Sequence, residues 1–337
     1  MDQQLAVEEV LEPDIEIVDS HHHLGNNHGR PYYLDELLAD TSSGHRVVET
    51  VFVEAGWGMA PDRPDDGSYA TGEVERVAAL GEESEARGGS VIKGIIGWVD
   101  LRRGGSSAAD ALDAAVAAGN GRLVGVRYVT GWDADPAVPV LRTTPTPGMM
   151  QDPLWLAGFA ALEGRGLVFD SLVYHPQMPE VVDLAKAFPD VPIVLNHSGF
   201  PLAVGAYEGR REETVAFMHA QHERMAALPN VYLKLGGIGV PMIRALFEPD
   251  LQAAASSERL AAQWGPYLRS CVETFGADRC MLESNFPVDA LTCSYRTLWN
   301  VFKRVFADLD ETSKAQLFAG TARRVYGLGA ANERVTA

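Results

Sequence analysis

The segment Asp19-Ser20-His21-His22-His23 follows directly on the apolar run Ile15-Glu16-Ile17-Val18. In an extended strand, side chains two apart share a side. His21 and His23 are therefore expected on one face, with Asp19 on the same alternation and His22 pointing away. Paired imidazoles at a strand end suit a divalent cation that prefers nitrogen ligands. A polar turn would also carry such residues, whereas a tag remnant would need a longer histidine run and no strand before it. Two more histidines close apolar runs: His175 after residues 167–174, and His197 after Val191-Pro192-Ile193-Val194-Leu195-Asn196. A further run, Arg279-Cys280-Met281-Leu282, leads into Glu283-Ser284-Asn285-Phe286-Pro287-Val288-Asp289, which supplies two acids. Imidazoles and carboxylates that converge can bind a metal or take a proton from water. His28 and His45 have no such placement, and His219 and His222, three apart on a helical stretch, are expected at the surface.

Convergence requires a scaffold that brings strand ends together. Val/Ile/Leu-rich runs place strands near 15–19, 47–54, 91–99, 122–129, 167–174, 192–196, 231–235 and 279–283. Ala/Leu/Glu-rich stretches place helices near 32–39, 72–87, 107–118, 151–164, 178–187, 211–227, 257–275 and 294–308, with shorter ones near 311–318 and 320–327. Eight strands, each followed by a helix, predict an α/β fold of the (β/α)8 TIM-barrel type in one domain over 15–329. Residues 1–14 are then an N-terminal extension and 330–337 a flexible tail. A doubly wound open sheet is the alternative. Long Gly/Pro/Asp-rich connections at 60–72, 130–148 and 198–209 fall after strands 2, 4 and 6, on the catalytic face of a barrel.

Composition narrows the partners. The 337 residues carry a formal net charge of −18, which disfavours nucleic acid and anionic membrane surfaces. Cys271, Cys280 and Cys293 form no CxxC pair, so a disulfide framework is not expected and a reducing compartment fits. The acidic N-terminus lacks a signal pattern and no apolar run approaches the ~20 residues of a membrane span, so a cytoplasmic protein is expected. The expected partner is a small-molecule substrate, and a homo-oligomer is compatible with a barrel of this size.

On these motifs the chain resembles the amidohydrolase superfamily, in particular its "amidohydrolase 2" branch of TIM-barrel predicted metal-dependent hydrolases. The matching pieces are the 19–24 segment, Phe169-Asp170-Ser171-Leu172, Pro192 through Gly199, the 279–289 segment and Val325-Tyr326-Gly327-Leu328. The resemblance implies a lactonase-like hydrolase, with decarboxylases on neighbouring branches. It also implies a metal or water site built from His21, His23, His175 and His197, holding zinc or manganese, although parts of the branch work without metal. Where the branch has an aspartate on the eighth strand, this chain has Asn285. An amide cannot accept a water proton as a base. Glu283, two residues earlier on the inward alternation, is the favoured replacement as ligand or base, and Asp289 in the following loop is the second candidate; the alternative for Glu283 is a buried structural acid paired with Arg or His.

Other residues carry weaker signals. Glu54 ends the second strand and faces the mouth or pairs with Arg46. Arg127 can clamp a substrate carboxylate or make a structural ion pair, and an inward Lys234 suits an anionic substrate. Trp57, Trp98 and Trp132 line a pocket or simply pack, and Gly236-Gly237 permits close backbone approach or a turn. The expected function is ring opening of a lactone, or hydrolysis of a related ester or amide, by activated water. Glu283, Asn285, His197 and Asp289 are the candidate catalytic set, and Arg127, Glu54, Trp57 and Lys234 the candidate substrate contacts. A metal-dependent decarboxylase and a non-catalytic binding protein are the alternatives.

Overall fold

The computed structural model of the chain describes residues 8–27, 30–57, 71–141, 145–247 and 255–328. Eight parallel strands lie side by side in chain order: β1 (Glu16–His22), β4 (Arg46–Val53), β5 (Val91–Gly97), β6 (Leu123–Val129), β7 (Val168–Leu172), β8 (Ile193–Leu195), β9 (Val231–Leu235) and β10 (Cys280–Leu282). The first and last strands meet. Ser20 Oγ donates to Leu282 O at 2.8 Å, Asn285 N–H to His21 O at 2.8 Å and His23 N–H to Phe286 O at 2.7 Å. The sheet is thus a nearly closed barrel, not an open doubly wound sheet. Closure buries both faces of each strand, which is why the strands read as apolar runs and not as clean alternation.

Helices return the chain between strands: α2 (Thr71–Arg87), α3 (Gly105–Ala118), α4 (Pro153–Phe159), α5 (Met178–Ala187), α6 (Arg211–Ala226), α8 (Ser257–Phe275) and α9 (Tyr295–Val305). Two elements were not legible in the pattern. A small hairpin, β2 (Gly25–Asn27) with β3 (Arg30–Tyr32), precedes α1 (Leu34–Thr41), and α7 (Pro241–Phe247) follows β9. The chain closes with α10 (Glu311–Ala315), a π-helical turn (Gln316–Gly320) and α11 (Thr321–Tyr326).

Two apolar clusters result. The larger lies between the barrel and its helices. The smaller joins Val18, Val51, Val124, Val168 and Met281 of the strands to Ala322, Tyr326 and Leu328, so the C-terminal helix plugs the N-terminal end of the barrel. The other end is left for chemistry, as in barrels generally. Of the predicted N-terminal extension, residues 8–14 are described; Leu11 O and Glu12 O accept from Lys303 Nζ of α9 at 2.9 and 2.7 Å. No described helix is long and apolar enough to cross a membrane. The three cysteines are buried and unbridged. The 60–72 connection lies almost entirely outside the described residues, as does the 330–337 tail.

Two expectations about histidine and acid placement are corrected. A register shift between Asp19 and His22 breaks the alternation along β1. Asp19 consequently turns away from the histidines, and its carboxylate accepts from Ser284 N–H at 2.9 Å and Tyr295 OH at 3.0 Å. His222 is not a surface residue but fully buried, with Nε2 2.9 Å from Ser198 O; burial lowers it to about 4. His219 is half-buried beside Tyr267.

Candidate active site

At the C-terminal end of the barrel one carboxylate joins two imidazoles. Glu283 Oε1 accepts from both the ring Nδ1 of His197 at 2.7 Å and its backbone N–H at 3.1 Å. This double contact requires His197 in the left-handed region, φ 51° and ψ 39°, an uncommon conformation for a non-glycine residue and one that recurs at functional sites. Glu283 Oε2 lies 2.8 Å from His21 Nδ1, but the two are not aligned for a hydrogen bond and have no other partner among the described residues. The His21 and His197 rings stack with centroids 4.9 Å apart, and all three residues are buried.

The other edge of His21 faces the mouth. Arg127 Nη1, which can only donate, lies 3.4 Å from His21 Nε2, so that nitrogen carries a lone pair. His23 Nδ1 lies 2.8 Å from Val53 O, a carbonyl that can only accept, so His23 Nε2 also carries a lone pair. These two Nε2 atoms stand 3.2 Å apart. Facing lone pairs at that distance repel unless a proton or cation is shared. Burial, followed by the nearby Lys234, holds His21 well below the ordinary imidazole value, so its ring is neutral at pH 7. Ligand atoms of His21, His197 and Glu283 lie within 4.8 Å of one another. Two imidazole nitrogens and one carboxylate oxygen suit a divalent cation of the zinc or manganese kind, whose binding between them would displace the ring protons that face Glu283.

A cavity of about 490 Å³ opens above this group, lined by His23, Asn26, Glu54, Trp57 and Arg127 among others. Arg127 is not available as a bidentate clamp. Its Nε donates to Glu54 Oε1 at 2.8 Å and its Nη2 to Glu54 O at 2.7 Å, leaving Nη1 directed at His21. The ion pair expected as the alternative for Arg127 is the one present, and Arg46 instead pairs with Glu16. Burial lowers Arg127 to about 10, so it stays charged.

Several expected members lie elsewhere. His175 is not brought to the group: β7 ends at Leu172, and His175 opens a separate turn whose ring packs on Tyr207 and Phe217, its Nδ1 accepting from Leu202 N–H at 3.2 Å. Lys234 does point inward, but it is fully buried and its Nζ donates to Asp170 Oδ2 at 2.6 Å, below the reach of any substrate. Asn196 Nδ2 and Tyr326 OH complete the donors on Asp170, both at 2.9 Å. Trp98 packs on Tyr128, and Trp132 is tied by its backbone to Gln177, so neither lines the cavity as Trp57 does.

Asn285 and Asp289 bind each other. Asn285 Nδ2 donates to Asp289 Oδ1 at 2.9 Å and Gly239 N–H to Oδ2 at 3.1 Å, so both oxygens are engaged in joining the loops after β9 and β10. Burial raises Asp289 to about 7. A folded value above the unfolded one means that its favourable contribution is present below pH 4 and is lost as pH rises through about 7. The destabilisation caused by Asp289→Asn should therefore be greater at pH 5 than at pH 8, by on the order of 2–4 kcal/mol. Urea titrations at both pH values check this, and a pH-independent cost would contradict it.

Gly236 and Gly237 make the carboxylate–imidazole contact possible. A Cβ on Gly236 would overlap Glu283, and one on Gly237 (φ 63°) would overlap the His197 ring. Close approach, not merely a turn, is the reason for glycine here. Gly237→Ala is expected to displace His197 and lower kcat/KM by about a hundredfold, with the circular dichroism of the fold retained. Activity within about threefold of wild type would show that the His197 position is not critical. Sequence reasoning missed Glu73, whose Oε1 accepts the backbone N–H groups of Ala55 and Trp57, and the role of Asp170 as the partner of Lys234.

The family model described as amidohydrolase matches residues 18–328. An uncharacterised protein of Sinorhizobium fredii is 29% identical over 298 residues, covering 88% of this chain and 86% of the relative. The L-fucono-1,5-lactonase of Burkholderia ambifaria is 27% identical over 241 residues, covering 70% and 71%. Among solved structures, an amidohydrolase of Burkholderia multivorans with bound zinc superposes with a TM-score of 0.70 at 24% identity over 93% of this chain and 99% of that one. The 5-carboxyvanillate decarboxylase of Sphingomonas paucimobilis superposes with a TM-score of 0.55 at 14% identity, over 94% and 100%.

Proposed function

Because this chain belongs to the amidohydrolase family, we propose that it is a hydrolase that opens the ring of a small lactone with water activated at the cavity floor. The observation that carries the reading is the linked set His23–His21–Glu283–His197 beneath a cavity that also holds Arg127. Glu283 is enclosed behind the two rings and acts through them. A proton leaving the attacking water is accepted at the Nε2 pair of His21 and His23, where lone pairs already face one another, and Glu283 balances the resulting charge. Arg127, charged and fixed by Glu54, stabilises the oxyanion that develops on the carbonyl oxygen. A divalent ion held by His21, His197 and Glu283 would supply Lewis acidity toward that carbonyl.

The lactonase relative supports a sugar-type lactone as the first substrate to try. Hydrolysis is favoured over decarboxylation because Arg127, the candidate anchor for a substrate carboxylate, is already engaged by Glu54. The test is acid release in a pH-stat on a panel of sugar and simple lactones, with L-fucono-1,5-lactone first, on protein whose metal content is measured by elemental mass spectrometry. Turnover is expected, with about one zinc or manganese per chain that is lost in the His21→Ala/His197→Ala variant. No acid release from any lactone, with carbon dioxide released from a panel of aromatic acids, would replace this reading with a lyase.

A further inference from the structure

Glu73 lies in the first turn of α2 and is 1% exposed, yet it belongs to neither the histidine group nor the Lys234–Asp170 pair. Its Oε1 accepts from Ala55 N–H at 3.0 Å and from Trp57 N–H at 2.7 Å. Its Oε2 is buried without a hydrogen-bond partner among the described residues. Burying a carboxyl with one oxygen unpartnered is unfavourable, and the two amide hydrogen bonds that offset this cost are the ones that hold the loop at residues 55–57. That loop contributes Glu54, Ala55, Gly56 and Trp57 to the cavity wall. The Trp57 indole is also fixed from outside. The Tyr33 ring is 5.4 Å from it, the Arg76 guanidinium stands 5.0 Å over it, and Gly25 packs so closely on its Cβ and Cγ that a side chain there would crowd it.

We infer that Glu73 is a positioning residue for ligand recognition: through the amides of Ala55 and Trp57 it holds the Trp57 indole as the wall on which the ring of the bound ligand packs. The inference rests on the proposal that this cavity is the ligand site. An indole face suits the C–H face of a five- or six-membered sugar-like ring, a contact made equally in the ground state and in the transition state. Glu73 therefore governs affinity and not the chemical step. Because one oxygen takes both amides, an uncharged side chain of the same shape should serve nearly as well.

The test compares wild type with E73A, E73Q, W57A and E73A/W57A on the best lactone found. Acrylamide quenching of Trp57 is measured in parallel, as the difference between each tryptophan-containing protein and its W57F counterpart. E73A should raise KM by about tenfold with kcat within about twofold, and E73Q should stay close to wild type. E73A/W57A should bind no worse than W57A, because both substitutions remove the same wall. Trp57 should become more open to acrylamide in E73A and not in E73Q. A fall in kcat at unchanged KM, or losses that add fully in the double variant, would overturn the inference. If no lactone is turned over, the functional proposal fails by itself, and the quenching still decides: unchanged accessibility of Trp57 in E73A overturns the positioning role.

Discussion

Replacing Glu283 with Gln should lower kcat/KM by about a thousandfold or more while leaving the fold intact. The amide keeps one acceptor for His197 but turns an NH2 group toward His21 Nδ1, which lies 2.8 Å from Oε2 in the native arrangement. Two donors then face each other, so His21 must flip and withdraw its lone pair from the His23 edge. The charge that balances a proton on the imidazoles is also gone. The loss should fall on kcat more than on KM, since Glu283 does not line the cavity. Steady-state kinetics and circular dichroism on the same preparations check this. An E283Q protein with native dichroism and activity within about tenfold of wild type would remove the carboxylate from the mechanism.

The second large effect concerns stability. Lys234→Met should destabilise the protein by about 3–5 kcal/mol, because it leaves the Asp170 carboxylate buried without its cation. Asn196 and Tyr326 still donate to Asp170, but neutral donors do not replace the charge 2.6 Å away. A Lys234→Met/Asp170→Leu double variant should recover most of the loss, as paired removal of buried charges often does. Chemical denaturation of the single and double variants is the measurement. A single variant within about 1 kcal/mol of wild type would mean that the pair is hydrated and available to ligand after all.

Much of the architecture was readable from the sequence because the strands of a closed barrel are continuous apolar runs with helices at regular spacing. His21, His23 and His197 were readable for the same reason, each standing directly at the end of such a run. Glu283 was readable in the same way, as the first residue after β10. Legibility ended where the backbone left the regular period. The shift between Asp19 and His22 sent Asp19 outward, and the residues after Leu172 carried His175 out of register with the strand that had pointed to it. Long-range partners were equally hidden. Nothing near Lys234 announces Asp170, and nothing near Trp57 announces a carboxylate 16 residues on, in the first turn of the next helix.

The bond between Tyr326 and Asp170 spans 156 residues and links the last described helix to the middle of the barrel. Contacts of that separation are late events, since a long loop must close before they form. During synthesis the buried carboxylate on β7 must wait for Lys234 and then for Tyr326 before all its donors are present. The barrel cannot be completed strand by strand as the chain emerges. Its interior polar layer is finished only when Tyr326 has been made, so Asp170 gains its last donor long after the strand that carries it.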